Sequence, residues 1–299
     1  MKDARFVYSG AAGIAPYLAE LRQLEQSIQY PIGNGVDHFV IDHGPEYHPF
    51  FSGLGDARFL LAVRGSRVLG SIAGVMRTVT LAGQHVRALY LCDLKVAPDA
   101  RGQHLSRSLL LRGLTIIARD PALRQTRFFY GAAMRGSTGD VMRSVHGAHP
   151  FKLSRPAAQL HVYFAAPAAL AKLDVAPAPT PPRTSGLILG QSEPLRESTA
   201  GRKDLRLVST GQPWPLVHLP LSPIAAGWAQ YLRETGASLL QARPVVSACF
   251  AVDQRLTNHV AWLETGCFTI VEEAGQKAKR RLASGRGHSG AASFARPGI

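Results

Sequence analysis

The stretch LYLCDLKVAPDARGQHLSRSLL, Leu89 to Leu110, decides how this chain is read. Its first half is extended and stops at Pro98, whose ring removes a backbone donor. A short basic loop with Arg101 and Gly102 follows. Leu105, Leu109 and Leu110, joined by Leu114 and Ile117, then predict an amphipathic helix from about Leu105 to Arg119. The first N–H groups of a helix have no intrahelical partner, and its dipole favours negative charge there. A strand, a basic loop and a helix start therefore make a ready cradle for a pyrophosphate, to which Arg101 and Arg107 would add charge-assisted hydrogen bonds.

Working towards the N-terminus, Phe59–Val63, Arg67–Val75, Val75–Leu81 and Val86–Val96 read as strands, with turns at Gly65-Ser66 and Ala82-Gly83. They make an antiparallel meander. Before it, Ala11 to Gln29 has helical spacing at Ile14, Leu18, Leu21, Leu24 and Ile28, and Pro31 to Gly55 reads as a long loop or a broken helix. Towards the C-terminus come a strand at Arg127–Ala133, a short helix near Asp140–Val145 and a strand at Gln159–Ala165. A meander feeding a strand-helix-strand crossover predicts a mixed α/β sheet with a right-handed connection.

Over residues 5 to 165 this order, and the motif Val96-Ala97-Pro98-Asp99-Ala100-Arg101-Gly102-Gln103-His104-Leu105-Ser106 within it, resembles the GNAT acetyltransferase superfamily. That family's hallmark is a strand ending in Val-x-Pro, then Arg/Gln-x-x-Gly-x-Gly/Ala, then an amphipathic helix. The resemblance implies a GNAT-like acyl-CoA acyltransferase fold with acetyl-CoA, or another acyl-CoA, as co-substrate. It implies that the main chain of Leu94, Lys95 and Val96 contacts pantetheine, and that Arg101, Gly102, Gln103, His104, Leu105 and Ser106 hold the pyrophosphate. The strand carrying Leu94 to Val96 would splay from the one carrying Tyr130 to Ala133 and receive the pantetheine as though it were another strand. His104 and Ser106 depart from the family's small residues, although His tolerates the left-handed region better than most side chains.

An amine acceptor must lose a proton before it attacks a thioester. Asp93, beside the expected thioester site, is the candidate that takes it through water. The Asn and Tyr that many family members place after the fifth strand do not occur in Met134 to His149, where Tyr130, Ser137 or His146 would substitute; Tyr130 and His146 complete the catalytic candidates. His38, His43 and His48 with Asp37 and Asp42 fit neither one helix face nor one strand face, so no metal is expected, and Tyr47 and His48 are expected to border the acceptor pocket.

The three cysteines, Cys92, Cys249 and Cys267, are odd in number and lack a CxxC, which argues against a disulfide framework or a zinc site. With no apolar run long enough for a membrane span and no signal-peptide pattern, the chain is expected to be cytoplasmic. The net charge of +14 suits a polyphosphate ligand, and nucleic acid is not an expected partner.

Four regions are expected: a GNAT-like domain at 1–165, a Pro- and Ala-rich linker at 166–204, a second, smaller α/β domain at 205–273, and a basic disordered tail at 274–299. The function expected is transfer of an acetyl or other acyl group from CoA to a small-molecule or peptide amine. The alternatives are a long-chain N-acyl amino acid synthase fed by acyl carrier protein, and a non-catalytic acyl-CoA-sensing module.

Overall fold

The computed structural model describes residues 4–32, 37–81, 84–136, 139–140, 154–173, 187–188, 203–219, 228–242, 246–253 and 289–295. Strand β1 (Arg5–Gly10) leads into a 3-10 turn over Ala11–Tyr17 and helix α1 (Leu18–Gln26). The helical spacing that starts at Ala11 is split in this way because Pro16 has no N–H to give an α-helical ladder. The stretch expected as a loop or broken helix contains β2 (Tyr30–Ile32), β3 (Asp37–Asp42) and helix α2 (Pro49–Leu54).

The meander is β4 (Asp56–Arg64), β5 (Arg67–Leu81) and β6 (Gln84–Val96), paired antiparallel. The two runs expected on either side of Val75 are one strand, because pairing with β6 continues unbroken to Leu81↔Gln84. Helix α3 (Leu105–Arg119) lies where its periodicity puts it, with Leu105, Leu109 and Leu110 buried, although Leu114 is exposed. Helix α4 (Pro121–Arg124) is capped by Asp120, whose carboxylate accepts the Ala122 N–H. Strand β7 (Phe128–Gly136) then runs parallel to β6, which closes the crossover.

The rest of the chain adds β8 (Gly139–Asp140), β9 (Ser154–Ala165), helix α5 (Pro167–Ala171), β10 (Leu187–Ile188), β11 (Asp204–Leu207), β12 (Pro213–Trp214), β13 (Leu216–His218), helix α6 (Trp228–Ala242), β14 (Ser247–Asp253) and β15 (Ser289–Ala295). The main sheet runs β1-β4-β5-β6-β7-β15-β9-β14-β13, with β8 on β7 and β10 on β5. A smaller sheet runs β12-β11-β3-β2. The start of the Pro- and Ala-rich segment is helical, since Pro167 fits the first turn and Leu170 is fully buried. The segment read as a basic tail holds β15, whose backbone fills the place between β7 and β9. Asp140 ends β8, and the rest of the helix expected near Asp140–Val145 lies outside the described residues.

Apolar side chains gather in two main clusters. The larger joins Leu21 and Leu24 of α1, Phe51 of α2, Phe59 and Leu61 of β4, and Leu105 and Leu109 of α3. The second joins Tyr163 and Ala165 of β9, Leu170 of α5, Val217 of β13, Leu232 and Leu239 of α6, and Phe250 of β14. Among the described residues, no helix is long and apolar enough to cross a membrane.

Candidate active site

The site begins where two parallel strands part. Ala88 to Leu91 of β6 pair with Phe128 to Gly131 of β7, and the pairing stops at Leu91↔Gly131. Beyond that point β6 stays with β5 (Ser71↔Lys95, Gly70↔Val96), while β7 stays with β15 (Ala132↔Ala292, Ala133↔Ala291). The segment from Cys92 to Val96 therefore faces a gap. At the vertex a side chain on Gly131 would lie 2.8 Å from the Leu91 carbonyl oxygen, so glycine lets the strands touch before they separate.

A bulge on β6 coincides with the parting. Ser71 faces Lys95 and Ala73 faces Cys92, so Asp93 and Leu94 together oppose Ile72. Asp93 sits at φ 56, a left-handed conformation that Asp adopts more readily than most residues.

Below the gap, the loop from Ala97 to His104 enters α3. Pro98–Ala100 form one 3-10 turn, Gly102 has φ +77, and His104 precedes α3 at φ 56 and ψ 23. His104 thus occupies a left-handed conformation that a glycine would take without steric cost. Its side chain is exposed, as are those of Arg101, Gln103 and Arg107. Asp99 would repel a phosphate, but Arg67 grips both its oxygens at 2.7 and 2.8 Å, which ties the β4–β5 turn to the loop. Leu105 is buried against the core, Ser106 is half-buried, and the His104 side chain does not cap the first turn of α3.

Beside the gap lies a buried polar cluster. The Lys95 ammonium is 2.6 Å from Asp93 Oδ1 and 2.7 Å from Glu25 Oε1. Glu25 Oε1 also meets His43 Nδ1 at 2.5 Å, and its Oε2 accepts the His43 backbone N–H at 3.0 Å. The Tyr47 hydroxyl donates to Asp93 Oδ2. Burial by itself would raise both carboxyl pKa values. The His43 hydrogen bond and the Lys95 charge instead hold Glu25 below the usual range, and Lys95, His43 and Tyr47 bring Asp93 down to about 2. Burial opposes the Lys95 charge, yet Asp93 and Glu25 hold its pKa well above that of a free lysine. Burial and the Asp93 charge push the Tyr47 hydroxyl well up, so it stays protonated.

Glu25, His43 and Asp93 bring possible metal-ligand atoms within 4.8 Å of one another. The position a cation would take between the two carboxylates is already filled by the Lys95 ammonium. Both oxygens of Asp93 are engaged, and its low pKa makes it a weak base. Tyr130 is buried and stacked on Tyr90 with ring centroids 5.0 Å apart, one residue before the vertex, and burial lifts its pKa to about 12. His146 and Ser137 lie outside the described residues. Tyr47 is buried within the cluster rather than lining an open pocket, and the His48 ring is half-buried.

Glu25 and the side chain of Lys95 escaped the sequence reading, although one signal was present. Glu25 stands four residues after Leu21 and three before Ile28, so it is a carboxylate inside the apolar stripe of a helix.

No protein-family model and no curated protein match the chain. Among solved structures, a tandem GNAT protein from the clavulanic acid biosynthesis pathway overlays 99% of this chain and 99% of its own at 11% identity, with a TM-score of 0.51. Looser overlays are an acyl-CoA N-acyltransferase from Pseudomonas aeruginosa (21% identity, 44% of this chain, 80% of that one, TM-score 0.29) and the Saccharomyces cerevisiae N-myristoyltransferase (8%, 97%, 82%, 0.49). The fold is GNAT-like: a mixed α/β sheet that parts between its two central parallel strands.

Proposed function

We propose that the chain transfers an acyl group, acetyl or longer, from CoA to an amine by direct attack on the thioester. The observation that carries this reading is the gap between β6 and β7 directly above the basic loop at the start of α3. Pantetheine lies in the gap as an added strand against Leu94, Lys95 and Val96, and an N–H of β6 polarises the thioester carbonyl. The loop from Arg101 to Ser106 holds the pyrophosphate.

The amine gives its proton to solvent, because Asp93, with its pKa near 2, is bonded to Lys95 and Tyr47. Tyr130, protonated beside the vertex, is positioned to serve the leaving thiolate. The carrier-protein donor has no supporting feature among the described residues. The second unit, 205–273, supplies the cluster around Leu232 and Phe250 and takes no part in the chemistry proposed.

The test is calorimetry with acetyl-CoA, followed by thiol release over a panel of amines. Binding in the micromolar range with amine-dependent release is expected. Absence of binding would end the donor-site reading, and binding without release would favour an acyl-CoA sensor. Asp93→Asn is expected to keep the wild-type pH–rate profile and to cost less than about tenfold in turnover. A loss of about a hundredfold or more with an altered profile would restore Asp93 as the base.

A further inference from the structure

A bare strand edge beside a parallel neighbour is a template for pairing, so something must hold Cys92 to Val96 away from β7. We propose that Lys95, anchored by Glu25, is a positioning residue that staples the left-handed bulge at Asp93 and so keeps the donor gap open. The inference rests on the reading of that gap as the donor site.

The bulge falls two residues after the last β6–β7 pair, Leu91↔Gly131, and it is the point where β6 turns aside. Its backbone conformation, φ 56 at a non-glycine residue, is held only where the surroundings impose it. The Asp93 carboxylate is bonded to the Lys95 ammonium on one oxygen and to the Tyr47 hydroxyl on the other. Lys95 reaches Glu25 on α1, and Glu25 grips both the backbone and the ring of His43. Two elements outside the main sheet, α1 and the loop after β3, are thus tied to the bulge.

Every charged member is dry: side-chain exposure is 2% for Lys95, 1% for Glu25 and 7% for Asp93. Buried ion pairs add little net stability over apolar packing, and their best-attested use is to select one conformation over another. The conformation excluded here is a β6 that continues its pairing along β7.

The test combines hydrogen exchange with donor binding in the full-length protein. Lys95→Met is expected to raise amide protection along 92–96 as the strands close, and to weaken acetyl-CoA binding at least tenfold. Glu25→Gln keeps the shape and removes one charge, and is expected to show the same change at smaller amplitude; it carries the test if Lys95→Met does not fold. A role in stability alone would lower the melting temperature and leave 92–96 protection and donor affinity unchanged well below that temperature, which would overturn the staple. The outcomes separate the two readings. Changed protection in the variants, with no acetyl-CoA binding by the wild type, would sustain the staple and remove the donor site. Unchanged protection in the variants, with acetyl-CoA binding by the wild type, would do the reverse.

Discussion

Two strand-helix-strand crossovers in this molecule are built alike and end differently. In the first, β6 and β7 run parallel with α3 between them in sequence; in the second, β13 and β14 run parallel with α6 between them. The first pair parts after Leu91↔Gly131. In the second, pairing holds as far as the described residues go: Leu216 to His218 pair with Ser247 to Cys249, and the Leu219 N–H still donates to the Cys249 carbonyl at 2.9 Å. The loop before α3 carries Arg101, whereas Pro220 to Leu232 holds no charged side chain. On α6, Gly236 packs so tightly on α5 that an added Cβ would lie 2.4 Å from the Leu170 Cβ. The crossover alone does not make a donor site. An opening at the strand end and positive charge at the helix start do, and among the described residues the first crossover has both.

Removing the second crossover is the harshest challenge to this comparison. A chain ending at Leu173 loses β11 from the edge of β3, β14 and β15 from β9, and most of the second apolar cluster. It is expected to aggregate on expression, as judged by size-exclusion chromatography, because strand edges of β3, β7 and β9 are uncovered at once. A monomeric fragment that binds acetyl-CoA would show that the first crossover is independent of the second.

A paired substitution gives the next largest effect. Arg101→Ala is expected to weaken acetyl-CoA binding about tenfold, the worth of one charge-assisted hydrogen bond to phosphate at an exposed position. Arg233→Ala, an exposed arginine on α6, should leave the affinity unchanged. Equal losses from both would erase the distinction between the loops.

Acid then separates the two regions by their titrating groups. His218 of β13 gives an N–H to the Lys203 carbonyl at 2.8 Å, and burial together with the Lys203 charge depresses its pKa to about 4. The unfolded chain takes up this proton near pH 6.5 and the folded one only near 4, so stability is lost as pH falls between those values, by up to about 2 kcal/mol for a partly exposed ring. In the first region the buried carboxyls Glu25 and Asp93 are held low. Their contribution is complete above about pH 4.5, the unfolded range, and drains away as pH falls towards 2. Denaturant melts from pH 7 to 3 should show the first loss disappear in His218→Phe and remain in Glu25→Gln.

The smallest effect expected concerns His104. Glycine accepts its left-handed backbone without the steric cost of a Cβ, so His104→Gly should raise stability by about 0.5–1 kcal/mol in urea melts. Donor affinity should not fall, since the phosphate contacts assigned to this loop are largely backbone N–H groups.

What the amino-acid order determined by itself was local. Alternation, proline and glycine positions and a leucine stripe are short-range signals, and they located the meander, the loop from Ala97 to His104 and α3. Only the tertiary structure decided the rest. Glu25 and His43 are distant in sequence from Asp93 and Lys95, and no spacing rule joins a carboxylate on α1 to an ammonium on β6. Strand β3 acquires its partner β11 from the far side of the Pro- and Ala-rich segment, and β7 acquires β15 from near the C-terminus. The parting of β6 from β7 has the same origin. Each strand is held by its other neighbour, β5 or β15, and long-range pairing of that kind leaves no periodic mark on the chain.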